Sequence, residues 1–293
     1  MNTSRESAAG VEAGGRRSLF RPSDGFFVIA GPCVVEDDDL NLRVAEELTR
    51  VATDLRVPIL YKASFDKANR SRTDAPRGPG LHAGLERLAR VRAETGLPIV
   101  TDIHESHQAV TVAEICDVLQ IPAALCRQTD LVTAAGSTGR HVNVKKAQWL
   151  APEDLRHAVA KALAAGAADV AVTERGTFFG YGDLVVDMRS FTRLRDATGV
   201  PVVFDGTHSV QRPGARDGAS GGDPRFTPDL VRAAVAAGAD ALFLEVHPDP
   251  ARAPSDGSNM LKLERFRPLL ERVLAIRAAL AAEIENPEDT PRA

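Results

Sequence analysis

The stretch Phe26–Cys33, with the sequence FFVIAGPC, decides the fold class of this 293-residue chain. Its first six residues form an apolar run, which is typical of a strand buried on both faces of a parallel sheet. A doubly wound dinucleotide-binding sheet would follow such a strand with a glycine-rich phosphate loop. Here the loop contains Pro32, which has no backbone N–H to donate to a phosphate. The stretch therefore favours a different parallel α/β fold.

The same order of a short apolar run, a polar loop and a helical segment recurs along the chain. It predicts eight strands, at residues 26–31, 57–62, 98–103, 117–121, 141–145, 169–174, 201–205 and 240–245. Their starts are spaced by about 31 residues, the size of one strand–helix unit. The segments between them show helical periodicity, as in Asp37–Leu55, which opens with three aspartates suited to a helix N-terminus. Eight such units predict a single-domain (β/α)8 TIM barrel, with a doubly wound open sheet as the alternative.

Composition sets the expected boundaries and excludes some partners. Residues 1–24, rich in Gly, Ala, Ser and Arg, and the acidic residues 283–293 are predicted to be disordered tails around a barrel over residues 25–282. A net charge of −4 and 5% aromatic residues argue against a nucleic-acid partner. No apolar run reaches the ~20 residues of a membrane helix, so we expect no membrane partner. Three cysteines without a CxxC pair indicate a reducing compartment, which predicts a cytoplasmic protein.

Polar side chains follow every predicted strand, at the end of a barrel where active sites form. One set is cationic and comprises Lys62, Lys67, Arg70, Arg127, Lys145 and Arg175. Because like charges repel at a narrow barrel mouth, this set predicts a substrate with phosphate and carboxylate groups. The alternatives are that the cations pair with acids such as Asp102 and Glu174, or that Lys62 or Lys145 forms a Schiff base.

A second set of residues at strand ends has side chains that bind metals. Cys33 follows the first strand, His208 the seventh and Glu245 ends the eighth, with Asp256 in the loop beyond. Neighbouring strands of a closed barrel would bring these residues onto one arc. A thiol, an imidazole and two carboxylates suit Fe²⁺, Zn²⁺, Mn²⁺ or Co²⁺ better than Mg²⁺. The alternative is that Cys33 only packs in the core.

The loop after the seventh predicted strand, residues 206–225, is rich in glycine and has no apolar run. This composition predicts a mobile lid that excludes water, with an ordinary surface loop as the alternative.

Eight motifs give residues 26–280 a specific resemblance to a known family. They are IAGPC (29–33), KASFDKANRS (62–71), TDIHE (101–105), CRQTD (126–130), NVKK (143–146), FGY (179–181), DGTHSVQ (205–211) and EVHPDP (245–250). On these motifs the chain resembles the 3-deoxy-D-manno-octulosonate-8-phosphate synthases. Cys33 resembles the residue of the metal-dependent branch, because the metal-independent branch carries Asn at this position.

The resemblance implies a condensation of phosphoenolpyruvate with D-arabinose 5-phosphate by a homotetramer that serves lipopolysaccharide synthesis. It implies a divalent metal on Cys33, His208, Glu245 and Asp256. The expected substrate contacts are Lys62, Lys67, Asn69, Arg70, Ser71, Asp102, Gln120, Arg127, Lys145, Gln148 and Arg175. Catalytic roles are expected for Lys67, Asp102 and His208.

Some positions depart from the family pattern. Residues 72–75 read RTDA where Ser-Ile-His-Ser is usual, Ala124 replaces a usual Phe, and Gly206 a common Ala. These departures bear on sugar preference more than on the reaction. Two alternatives stay open. The sister 3-deoxy-arabino-heptulosonate 7-phosphate synthases use a four-carbon aldose and usually carry Lys-Pro-Arg-Thr near Lys67–Ser71. A non-catalytic sugar-phosphate-binding barrel is the other.

Overall fold

A computed structural model of the chain describes residues 18–23, 25–70, 72–216 and 219–284. Its barrel strands are β1 (Phe27–Gly31), β2 (Ile59–Lys62), β3 (Ile99–Asp102), β4 (Val118–Ile121), β5 (His141–Lys145), β6 (Val170–Glu174), β7 (Val202–Asp205) and β8 (Ala241–His247). Each strand pairs in parallel with the next, and β8 pairs back onto β1. This closure confirms the (β/α)8 barrel and excludes the open sheet.

Several strands begin one or two residues later than the apolar runs predict. Pro58, Pro98 and Pro201 immediately precede β2, β3 and β7, and proline has no N–H for the strand ladder. Asp117, Asp169 and Asp240 immediately precede β4, β6 and β8. Two of these aspartates accept hydrogen bonds from the first backbone N–H of a neighbouring strand. Asp117 accepts a hydrogen bond from the Ile99 N–H at 2.9 Å, and Asp240 accepts one from the Val202 N–H at 2.8 Å.

The outer layer of the described chain consists of α1 (Asp38–Leu55), α2 (Leu81–Thr95), α3 (Gln108–Ile115), α4 (Thr129–Ser137), α5 (Leu155–Ala165), α6 (Ser190–Thr198), α7 (Thr227–Ala236) and α8 (Leu263–Ile284). The aspartate run places the start of α1 correctly, since the Asp37 side chain accepts a hydrogen bond from the Leu40 N–H at 2.8 Å. Gly166 ends α5 in the left-handed conformation that glycine adopts readily. Among the described residues, no helix combines the length and the apolar character needed to cross a bilayer.

Apolar side chains fill the space between strands and helices, and a separate cluster fills the barrel interior. This interior cluster runs from Phe27 near the amino end of the barrel to Phe243 near the carboxyl end, and Phe20 belongs to it. The Phe20 ring stacks on Phe27 at 5.5 Å between centroids and meets the edge of His141.

The segment around Phe20 was expected to lie in the disordered tail, but residues 18–23 pack against the barrel. The Ser18 hydroxyl donates to Asp169 at 2.6 Å, and Arg21 forms an ion pair with the same carboxylate at 3.0 Å. One aromatic side chain and two polar contacts are enough to fix this segment, although it has no apolar periodicity. At the other end, residues 283 and 284 were assigned to the C-terminal tail but form the last two residues of α8, because the helix continues past the predicted boundary. The rest of both predicted tails, residues 1–17, 24 and 285–293, lies outside the described residues.

Two β-hairpins extend from the carboxyl ends of the strands. Thr177–Gly180 pairs with Asp183–Val185 after β6, and Gln211–Arg216 pairs with Ala219–Gly222 after β7. The glycine-rich loop thus contains antiparallel strands, and its role as a lid stays a prediction. Gly222 allows a close approach here, because a Cβ at this position would collide with the Asn259 side chain.

We predict that Phe20→Ala lowers the free energy of unfolding by about 3 kcal/mol, because it leaves a cavity beneath Phe27. The measurement is the urea unfolding midpoint. Phe226→Ala is the matched control, since the Phe226 side chain is half exposed. A midpoint for Phe20→Ala no lower than that of Phe226→Ala would contradict the packing role.

Candidate active site

A cavity of about 1260 Å³ opens where the carboxyl ends of the barrel strands meet. Most of the predicted substrate contacts line it, namely Lys62, Lys67, Asn69, Arg70, Asp102, Gln120, Lys145, Gln148 and Arg175. Ser71 lies outside the described residues. Arg127 is exposed and does not line the cavity of the described chain. The 3₁₀ turn Ala123–Leu125 directs Cys126 into the core, and the next side chain points outward.

Lys145 reaches the cavity from the end of β5, and Asp205 at the end of β7 is its partner. The Lys145 ammonium contacts the Asp205 carboxylate and lies 3.3 Å from the centroid of the Phe243 ring. Burial lowers the pKa of Lys145 to about 8, against the opposing field of Asp205. Burial disfavours the Asp205 carboxylate too, but His208 and Lys145 outweigh it and hold its pKa well below the usual range.

Lys62 contacts two carboxylates and a backbone carbonyl. Its Nζ donates to Glu245 Oε1 at 3.1 Å and to the Cys33 carbonyl at 3.2 Å, and lies 3.8 Å from Asp102. Lys62 Nζ is thus held by two carboxylates and a backbone carbonyl, which argues against a Schiff base at Lys62. Lys145 is also held by a carboxylate, but its lowered pKa leaves a Schiff base at Lys145 as an alternative.

Asp102 is the centre of a buried hydrogen-bond network. It accepts from the Ser64 hydroxyl and from the Gln120 amide, and Gln120 in turn accepts from Asn143 at 2.9 Å. Burial disfavours the charge on Asp102, yet Lys62 and Lys67 outweigh it and lower its pKa far below the usual range. Asp102 is therefore an ionised acceptor at the cavity wall.

Lys67 and Arg175 are two further cations that line the cavity. Lys67 Nζ donates to Ser64 Oγ at 3.1 Å, and burial opposes its charge. The fields of Cys33, Glu245, Asp102 and Asp256 outweigh that burial and raise its pKa, so Lys67 stays protonated. Arg175 Nη2 donates to Gln211, whereas its Nη1 is buried without a hydrogen-bond partner among the described residues. A buried donor of this kind is suited to an anion that enters the cavity.

The predicted metal ligands meet beside these cations. Donor atoms of Cys33, Glu245 and Asp256 lie within 4.8 Å of one another, and Cys33 Sγ is 3.4 Å from Asp256 Oδ2. His208 stands next to this cluster, with Nε2 at 3.7 Å from Glu245 Oε2. Its Nδ1 is hydrogen-bonded to Asp205 at 2.7 Å, which leaves Nε2 facing the cluster.

The chemistry of this donor set fits a divalent transition metal. Sulfur, nitrogen and carboxylate oxygen are the ligands that Zn²⁺ and Fe²⁺ bind, and the separation of His208 from Glu245 suits two ligands of one ion. Burial and the charge of Glu245 raise the pKa of the Cys33 thiol. A bound cation would oppose both effects and favour the thiolate.

Comparison with known proteins agrees with this geometry. Residues 21–278 match the model of the DAHP synthetase I family. The chain belongs to this family. It is 53% identical to the 2-dehydro-3-deoxyphosphooctonate aldolase of Cyanothece sp., over 87% of this chain and 93% of that protein. It is 54% identical to the protein of the same name in Nitratidesulfovibrio vulgaris, over 85% of this chain and 91% of the other.

A third relative of that name, from Alkalilimnicola ehrlichii, is 53% identical over 90% of this chain and 94% of its own length. The shared name is a synonym of 3-deoxy-D-manno-octulosonate-8-phosphate synthase. The resemblance drawn from the eight motifs is therefore confirmed.

Three residues that line the cavity or contact its charged side chains were not predicted as site residues. Ser64, Gln211 and His104 lie in the quoted motifs but were not selected as site residues. Ser64 joins Lys67 to Asp102, and His104 lines the cavity with its Nδ1 buried and unpartnered within the described chain. Gln211 gave no local signal, because its partners Arg175 and Asp256 are 36 and 45 positions away.

We predict that sulfate binding to the metal-free protein weakens as the pH rises through about 8. Lys145 is protonated below this value and loses its charge above it, so the dissociation constant should rise about tenfold per pH unit. Sulfate stays a dianion over this range, so its own charge does not change, and calorimetric titration measures the constant. In Lys145→Arg the break at pH 8 should vanish, since a guanidinium stays charged. A break that persists in this variant would assign it to another group.

Proposed function

We propose that the chain condenses phosphoenolpyruvate with D-arabinose 5-phosphate and water, giving 3-deoxy-D-manno-octulosonate 8-phosphate and inorganic phosphate. The observation that carries the proposal is the convergence of Lys62, Lys67, Lys145 and Arg175 in one cavity, directly beside the cluster of metal ligands. The names of the relatives support this product. The reaction places the enzyme in lipopolysaccharide precursor synthesis.

The reaction makes one carbon–carbon bond, and at C2 it replaces the carbon–oxygen bond to phosphate by one to water, whose protons balance those gained by the aldehyde oxygen and the leaving phosphate. C3 of the enol bonds to the aldehyde carbon of the sugar, the oxygen of water adds at C2, and the hemiketal phosphate then releases phosphate. The phosphate and carboxylate keep their negative charge throughout. Fixed cations in the cavity stabilise that charge without having to reorganise. Lys62, Lys145 and Arg175 are buried and held by carboxylate or amide oxygens, as this role requires.

The sugar is proposed to lie toward the rim, beside Asn69 and Arg70, with Gln148 on the cavity wall. A further contact from Ser71 stays part of the proposal. Arg70 is fixed there by hydrogen bonds to the carbonyls of Pro76 at 2.9 Å and Pro254 at 3.1 Å. Arg127, which the resemblance assigns to phosphoenolpyruvate, does not line this cavity in the described part of the chain, so its contact stays a prediction.

The three proposed catalytic residues have different roles. Lys67 stays protonated, so it stabilises charge and does not act as a base. Asp102 stays ionised and accepts a hydrogen bond from a sugar hydroxyl. Asp205 holds the ring of His208 with Nε2 toward the cluster of metal ligands, which makes His208 a ligand and a poor free base.

Cys33, His208, Glu245 and Asp256 would hold Fe²⁺, Zn²⁺, Mn²⁺ or Co²⁺, which when bound supplies a Lewis acid beside the aldehyde or water. The protein's own contribution is to fix these donors. Lys62 orients Glu245, Asp205 orients His208, and Ser255 donates to Asp256 at 3.3 Å. These contacts limit the freedom of the ligands.

The proposal extends to a homotetramer in the cytoplasm. The cysteines of the described chain, Cys33, Cys116 and Cys126, are all free thiols, which supports a reducing compartment. Apolar surface supports self-association. In the first hairpin, Phe179 near the end of the first strand is 95% exposed and Tyr181 in the turn is fully exposed. Both have positive φ, a strained conformation for an aromatic residue. Trp149 and Phe178 add to this aromatic surface.

We predict that Phe179→Ser combined with Tyr181→Ser lowers the mass of the native particle, because it removes apolar area from the contact between copies. Sedimentation velocity measures the mass. Val110→Ser is the control, since Val110 is also an exposed apolar residue but lies on α3, away from the hairpin. If the double variant keeps the mass of the wild type, the hairpin is not the contact surface.

Phosphate release from phosphoenolpyruvate tests the activity. We expect release with arabinose 5-phosphate and little with erythrose 4-phosphate. Chelation should abolish it, and a divalent metal should restore it. Cys33→Ala should lose both activity and metal, whereas Cys116→Ala, an equally buried thiol, should keep both.

Three outcomes would revise the proposal in different ways. Release that resists chelation would remove the metal from the proposal but keep the enzyme. Release with erythrose 4-phosphate alone would favour the sister synthase. Absence of release with either sugar, in a protein that binds both substrates, would favour the non-catalytic barrel.

A further inference from the structure

We propose that Gln211 is a positioning residue that couples the anion site of the cavity to its metal site. This inference rests on the proposed function, because it takes both sites to be occupied in turnover. Gln211 opens the hairpin after β7, is buried, and lines the cavity. Its side chain lies between the cation Arg175 and the proposed metal ligand Asp256.

The two ends of the Gln211 amide make opposite contacts. Its Oε1 accepts a hydrogen bond from Arg175 Nη2, and its Nε2 donates to Asp256 Oδ1 at 3.4 Å. A guanidinium offers only donors and a carboxylate only acceptors, so the charges on both sides fix which way the amide points. Asp256 uses its other oxygen, Oδ2, toward Cys33 at 3.4 Å. A continuous chain of contacts thus runs from the anion site to the cluster.

The backbone around Gln211 holds this bridge in place. Gln211 N–H donates to the His208 carbonyl, which closes the 3₁₀ turn His208–Val210 that carries another proposed ligand. On the partner strand, Gly222 lies opposite Gln211 and packs against Asn259. The Asn259 N–H in turn donates to the Asp256 carbonyl at 2.8 Å. The base of the hairpin and the Asp256 loop are therefore joined by two routes, one of which is the Gln211 side chain.

This arrangement makes the position of Asp256 depend on Arg175. An anion that engages Arg175 fixes the guanidinium, and Gln211 passes that constraint to Asp256, so the metal should bind more tightly when the anion site is filled. Linkage then requires the metal to strengthen anion binding by the same factor. A bound anion also neutralises the charge of Arg175, and this electrostatic part of the coupling persists in any variant at position 211. The part of the coupling that passes through the Gln211 side chain is the part that mutation of Gln211 removes.

The test measures the dissociation constant of Co²⁺, in a chelator-buffered titration without sugar, with and without saturating phosphoenolpyruvate. In the wild type we expect phosphoenolpyruvate to tighten Co²⁺ binding by about tenfold, a common size for coupling between sites. Gln211→Met keeps the length of the side chain but makes neither hydrogen bond, and its factor should fall to about two or less. Gln128→Met, the same change at an exposed residue before α4, should keep the wild-type factor.

Gln211→Glu distinguishes positioning from general damage. Its carboxylate would neutralise Arg175 and add negative charge beside Asp256. We therefore expect phosphoenolpyruvate to bind more weakly and Co²⁺ more tightly, whereas a loosened site would weaken both. Circular dichroism and the thermal midpoint check that each variant is folded.

The outcomes separate this inference from the proposed function. Equal coupling factors in the wild type and Gln211→Met, or no coupling in a wild type that binds both, would overturn the role of Gln211 and leave the synthase proposal intact. Loss of both affinities in Gln211→Glu would overturn it as well. A wild type that binds neither Co²⁺ nor phosphoenolpyruvate would contradict the proposed function itself.

Discussion

The pairing of β8 with β1 is the contact on which the rest of the site depends. In the register of this pairing, Gly31 lies opposite Glu245. The loop that carries Cys33 therefore begins beside the Glu245 carboxylate, close to which Cys33 lies in the metal-ligand cluster. A shift of one residue would turn each side chain of β8 to the other face of the sheet. Gly31 also lies against the backbone of β2, where a Cβ would collide with the Lys62 carbonyl. The pairing of β8 with β1 and the close approach of Gly31 to β2 together bring Cys33, Lys62 and Glu245 near one another.

Charge compensation is the second condition for this cavity. Buried lysines and carboxylates alternate around the wall, each held by hydrogen bonds from neighbouring strands. Removing one member of such a pair leaves the other buried without a partner, which is far more costly than losing an exposed ion pair. The paired lysines and carboxylates therefore hold fixed charges at the cavity wall, and we expect most substitutions of these residues to destabilise the protein.

Much of this architecture could be predicted from the sequence because it depends on local order. β5 begins and ends at the predicted residues, and α1 begins at the predicted aspartate cap, since both signals lie within the element itself. The strand-end residues converge because closure of a barrel brings every strand end to one face. The position of Phe20 could not be predicted, because one aromatic residue in a glycine- and arginine-rich segment has no periodic pattern. The outward turn of Arg127 and the two contacts of Gln211 depend on backbone direction and on distant partners, which a single sequence does not record.

The Phe243 ring has a consequence for how this protein can change. Its face lies beneath the Lys145 ammonium and, at 5.4 Å, beneath that of Lys62, while the ring of His208 lies 5.9 Å away. An aromatic face attracts cations, whereas an aliphatic side chain of similar size only fills the space. Leucine at this position would preserve much of the packing, but Lys145 and Lys62 would lose the attraction of the aromatic ring. A laboratory selection for folded protein alone would therefore accept other apolar residues at position 243. A selection for catalytic turnover would retain phenylalanine.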